Sequence, residues 1–221
     1  MKKWHLLFRS LFIKKTHIFG LLPILVALIK IPETLAVRRV DALNPITFGR
    51  NVRAIFVHPQ SRYFLLLSGW TMVSLVVIIS GTASVMEREF AVTGTLFAVL
   101  FAAHGLGIIF GQFCNHWLIG RFGIVPACIC GALVMTGALT ATMVLAYVDT
   151  LNEFGLAALI VLFAVGYLPV YSNTASLTLD PHGQIAGFTA AFYGAFGQLS
   201  SAVIATVLVT LAGGDLVPWS A

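Results

Sequence analysis

Charged side chains make up only 10% of the 221 residues, against about 25% in a soluble domain. So few charges cannot cover a water-facing surface, which excludes a soluble globular protein. Acids are scarcer still inside the apolar runs: no Asp or Glu lies near the middle of any of them. Intramembrane carboxylates usually carry coupled protons; here His104 is the one mid-run group that titrates near neutrality. Catalytic signatures are also missing. There is no G-x-S-x-G elbow, no H-E-x-x-H and no P-loop, so the chain reads as a non-enzyme with no catalytic residue, cofactor or metal. Cys114, Cys128 and Cys130 all sit in apolar stretches. Cys-x-Cys without a second pair is no zinc signature, and free Cys packs as a small hydrophobe.

What is present is apolar: 59% hydrophobic residues and a mean hydropathy of +0.96. A spanning helix needs about 20 mostly apolar residues. Five stretches qualify, at 63–86, 92–118, 124–148, 154–179 and 184–212, predicting an all-α multi-pass membrane bundle. The links between them are short and hold the charges: Glu87-Arg88-Glu89, Arg121-Phe122-Gly123, Asp149 to Glu153, and Asp180-Pro181-His182-Gly183. The last of these reads as a hairpin turn, with Pro181 and Gly183 as turn formers. The basic segment 1–32 holds a shorter apolar core, Ile18 to Ile29, read as a shortened or degraded spanning helix.

Residues 1–62 hold eleven Lys and Arg against Glu33 and Asp41, a net charge of +9; the remainder holds Arg88 and Arg121 against six acids, a net of −4. Beside a hydrophobic bundle this asymmetry marks the cytoplasmic side rather than nucleic-acid binding. The segment 33–62, with Arg38, Arg39, Arg50, Arg53 and Arg62 as anchors, is expected to be a basic cytoplasmic loop. Alternation then puts residues 87–89 and 149–153 outside and residues 121 and 180–182 inside.

Small residues recur along the helices. Gly107-x-x-x-Gly111 is a close-approach pattern, and Gly187 and Gly194 on the last stretch repeat the theme, so all four are expected at helix contacts. Polar groups at membrane depth are functional candidates by default. His104 and Asn115 are eleven residues apart, three turns along one helix face. Pro169 kinks its helix and frees a carbonyl, with Asn173 one turn on. With Gln198, these five residues are the candidates to line a substrate cavity; a hydrogen bond to a neighbouring helix is the alternative role for His104.

Four segments carry a resemblance. "IPETL" (31–35), "LFAVLFAAHGLGIIFGQFCNHWLIGRFG" (96–123), "GYLPVYSNTASLTLD" (166–180) and "PHGQIAGFTAAFYGAFGQ" (181–198) resemble the sixth, eighth, tenth and eleventh helices of major facilitator superfamily transporters, closest to Bcr/CflA-type drug:proton antiporters. Asn115 fits the pattern; His104 stands where the family usually has Asn, and Gln198 is one position past the usual Gln. The resemblance implies the C-terminal half of a twelve-helix exporter, truncated, in a bacterial inner membrane. Its partners would be the bilayer, a small hydrophobic or amphipathic substrate, protons, and a separate N-terminal half holding the proton-carrying acids. A stand-alone homodimeric transporter and a non-transporting membrane scaffold are the alternatives.

Overall fold

The computed structural model describes residues 44–211. Segment 1–32, with its degraded-helix reading, and Arg38 and Arg39 lie outside the described residues. Pro45 opens one compact unit, which is helical throughout: α1 (Pro45–Val57), α2 (Pro59–Arg88), α3 (Gly94–Phe122), α4 (Ile124–Tyr147), α5 (Glu153–Leu179), a 3-10 turn (Asp180–Ile185) and α6 (Ala186–Leu211).

Among the described residues four helical stretches are long and apolar enough to cross a membrane: α2, α3, α4 and a fourth, Glu153–Val207, that contains both α5 and α6. Straight, those 55 residues would measure about 80 Å, far beyond a hydrocarbon core of about 30 Å. The break is at His182, whose φ/ψ of −119/34 is not helical. The fold-back is fixed by Tyr193 of α6, whose hydroxyl donates to the Tyr171 carbonyl of α5 at 2.7 Å. The five apolar stretches therefore correspond to α2–α6.

Local chemistry sets the ends. Pro59 stands at the first position of α2, where its missing N–H costs nothing and its fixed φ suits the helix. α3 and α4 are joined through Gly123 alone, at φ +92, a conformation that favours glycine. Asn152 caps α5, its side-chain oxygen accepting the Gly155 N–H at 2.7 Å, and Glu153 in the first turn complements the helix dipole.

One segment differs from the sequence expectation. Within 33–62, read as a loop, Pro45–Val57 is helical. Arginines suggested a solvated segment, but Phe48, Val52, Ile55 and Phe56 share a helix face. Ile55 is fully buried, Phe48 meets Phe188 edge-on at 5.3 Å, and Phe56 meets Phe192 and Phe196. At 13 residues, α1 is too short to span a bilayer.

The middle of the bundle is α5, which packs against α2, α3 and α4, while α6 lies mainly against α2. Met72, Met135, Ala138, Phe163 and Tyr167 form a core where α2, α4 and α5 meet. A second cluster, Met86, Val92, Leu156, Ala157 and Ile160, closes one end, the end that carries Glu87, Glu89, Asp149 and Glu153. At the other end Gln60 donates to the Leu177 carbonyl and Ser61 to that of Thr178. That end holds the start of α2, the α5–α6 turn and, by the antiparallel order, Arg121.

Four buried threonine hydroxyls are satisfied within their own helices. Thr71, Thr142, Thr174 and Thr178 each donate to the carbonyl four residues back, at 2.7–2.8 Å. Such bonds let polar side chains sit in a membrane interior where an unpaired group is costly.

Candidate functional site

The glycines of α3 bring it against α5. A Cβ added at Gly107 would strike the Val161 carbonyl, and one at Gly111 would strike that of Val165. Pro169 lacks the N–H that would otherwise bond the Val165 carbonyl. The carbonyl freed by the proline is therefore the atom that Gly111 packs against.

One turn further along, this close approach sets two amides face to face. Asn173 Nδ2 donates to Asn115 Oδ1 at 2.8 Å, and Asn115 Nδ2 donates to Asn173 Oδ1 at 3.3 Å. The residues are 3% and 5% exposed, so the pair is sealed from both solvent and lipid. Each amide uses one donor and one acceptor on the other. This reciprocal pairing is how an interhelical clamp is built, and it leaves little capacity for a substrate.

The remaining candidates do not converge with the pair. Pro169 is buried at the α4 contact, where a Cβ on Gly131 would lie 3.3 Å from Pro169 Cβ. His104 lies three turns from Asn115, stacked on Phe101 with centroids 6.3 Å apart. The Ile160 backbone supplies the ring with a polar contact, but Nδ1 is buried without a hydrogen-bond partner. Gln198 is exposed on α6. Gly187 and Gly194 face open space within this chain, unlike Gly107 and Gly111. Arg50, Arg53 and Arg62 are exposed.

An unpaired buried nitrogen costs about 1–3 kcal/mol, so His104→Leu is expected to leave thermal stability in detergent unchanged or raised. A drop of several degrees would contradict the unpaired Nδ1.

Several polar and packing residues escaped the sequence reading. Phe163, Tyr167 and Tyr171 stack along one side of α5 at spacings of 6.0 Å, and Tyr193 joins them from α6 at 5.3 Å. The Tyr193 hydroxyl lies 2.8 Å from Thr174 Oγ1, and the Tyr167 hydroxyl donates to Met72 Sδ at 3.1 Å. The four-residue spacing of the α5 aromatics was a readable signal. Gly131 and Gly166 bring α4 and α5 together, and Gly69 admits Phe196 of α6. A cavity of about 310 Å³ between α2 and α4 is lined by Tyr63, Leu67, Cys128, Leu133 and Thr136 among others, and contains none of the five candidates. Among the described residues no three His, Cys, Asp or Glu side chains group closely enough to hold a metal ion.

No family model matches the sequence, and no solved structure matches the chain. A curated protein does: the "uncharacterized MFS-type transporter YdgK" of Bacillus subtilis (strain 168) is 26% identical over 216 residues, covering 93% of this chain and 50% of the relative. The chain is a distant homologue of an MFS-type transporter. It spans about half the length of the curated relative it matches, so its helices correspond to half of such a transporter. MFS-type proteins are multi-pass membrane proteins and not usually enzymes, in keeping with the long apolar helices.

Proposed function

We propose that the chain is one half, the C-terminal one, of a bacterial inner-membrane transporter, and that it needs a second half to work. The reading extends to a Bcr/CflA-type exporter moving small hydrophobic or amphipathic molecules in exchange for protons. The observation that carries it is the match to half of an MFS-type transporter, and the surface of α6 supports it. α3 exposes Leu106, Ile109, Phe110 and Phe113, and α4 exposes Ile129, Leu133 and Met143, bulky groups suited to lipid. α6 instead exposes Gly187, Ala190, Ala191, Ala195, Gln198 and Ala202, flanked by Leu199 and Val203. Small residues with one amide suit close packing against another helix. A second half on this face would give Gly187, Gly194 and Gln198 their neighbours.

In this reading the binding site lies between the halves, with α6 on one wall, and the buried Asn115–Asn173 clamp keeps that wall stiff. The acids of the described residues lie at the bundle ends, so proton carriers are assigned to the other half.

Two measurements test the proposal. Cells expressing the chain alone should show dye or drug efflux no greater than vector controls; robust efflux would sink the incomplete-half reading. A photocrosslinker at Gln198 should capture an MFS-type half from the host membrane. An adduct of twice the 23.8 kDa chain mass, with saturable uptake, would favour the homodimer instead. Neither adduct nor transport would favour a scaffold.

A further inference from the structure

Two histidines meet at the basic end of the bundle. His58 is the single residue between α1 and α2 and the N-cap of α2. Its Nδ1 accepts the Ser61 N–H at 3.5 Å, which requires an unprotonated Nδ1. His182 is the non-helical residue of the α5–α6 turn. The two rings stand edge to face with centroids 5.6 Å apart, and His182 Nε2 is covered without a hydrogen-bond partner. Beside them Gln60 and Ser61 donate to the Leu177 and Thr178 carbonyls at 2.9 and 3.2 Å.

We propose that His58 and His182 form a pH-sensitive latch that holds the α1–α2 junction against the α5–α6 turn and releases it on acidification. The chemistry runs the same way at both rings. A proton on His58 Nδ1 ends its acceptance of the Ser61 N–H and leaves it only the Ser61 hydroxyl, 3.4 Å away, and a proton on His182 Nε2 puts a charge where no acceptor waits. Two imidazolium ions at this spacing also repel. Among the described residues the other charged or imidazole groups at this end are Arg50 and Arg53 on α1, Arg62 on α2, His116 and Arg121 on α3 and Asp180 in the turn, all exposed. Residues 172–179 of α5 and 186–192 of α6 add no titratable side chain. Among the described residues four cations stand against one acid at this end. Burial, and secondarily His58, push the His182 pKa below its ordinary value of 6.5. A depressed imidazole pKa in the closed state means the latch holds at neutral pH and weakens as pH falls below that value. The inference concerns this bundle alone and does not depend on the transport reading.

The test is a spin-label distance measurement on the full chain in lipid nanodiscs. Labels go on Val57→Cys, at an exposed position, and Gly183→Cys, where a side chain meets open space, with Cys114, Cys128 and Cys130 replaced by Ala. The distance should be short and uniform at pH 7.5 and gain a longer component on acidification, with a midpoint below 6.5. The His58→Asn/His182→Asn variant keeps a capping oxygen at position 58 and should give the same distance at both ends of the titration. His182→Asn alone keeps the His58 cap but removes the repulsion and the unpartnered Nε2, so it should shrink the pH-dependent component, and a full-sized response in this single variant overturns the latch even if the double variant misfolds. A wild-type distance that ignores pH, or a pH response that survives removal of the imidazoles, overturns the latch.

Discussion

Gly111→Ala should destabilise the bundle by about 1–3 kcal/mol, and Gly111→Leu should prevent α3 from seating on α5. The methyl of alanine would lie 2.9 Å from Val165 Cα and 3.0 Å from its carbonyl carbon, and nearer still to the oxygen. These are backbone atoms, so no rotamer change relieves the clash; one helix must move away. Gly137 provides the control, because a Cβ there meets nothing within 4 Å. Gly137→Ala should be neutral or stabilise by about 0.5–1 kcal/mol, since alanine is the better helix former. Denaturation in mixed micelles, followed by circular dichroism, measures both. Equal effects at the two positions would rule out the close α3–α5 contact.

The second large effect concerns the amide clamp. Asn115→Leu or Asn173→Leu alone should cost about 1–3 kcal/mol, because each leaves the opposing amide buried and unpaired. The two leucines together should cost less than the sum of the single changes. Interhelical hydrogen bonds in membranes average only about 0.6 kcal/mol, with a maximum near 1.7. The doubly bonded, sealed geometry here places the coupling toward the upper part of that range. A double-mutant cycle measures it directly; additive effects would show that the amides do not depend on each other. The same cycle bears on function, since a clamp responds in stability whereas a substrate ligand responds in transport.

The helical class was legible because it rests on composition and run length, which need no knowledge of neighbours. Gly107 and Gly111 were legible because they repeat at the interval of one helix face. Gly131 and Gly166 were not: neither has a second glycine three or four residues away, and the closeness they permit exists only once α4 and α5 are in register. Asn115 and Asn173 stood out as polar groups at depth, but their pairing across 58 residues could not be read from either helix. The helical character of Pro45–Val57 was obscured by its arginines, although its apolar periodicity was present. The distinction between bulky exposed faces on α3 and α4 and a small-residue face on α6 needed burial to become visible.

The central position of α5 also bears on how the protein is made. α2, α3 and α4 leave the ribosome before the helix that joins them. Asn115 must wait for Asn173, 58 residues later in the chain. At about 5–20 residues per second, that interval lasts roughly 3–12 s. Over that time α3 and then α4 are completed beside α2 without their common partner, and a polar amide has no permanent mate. Insertase or chaperone contact with the nascent chain would be concentrated in this window, and it would end as residues near 173 emerge.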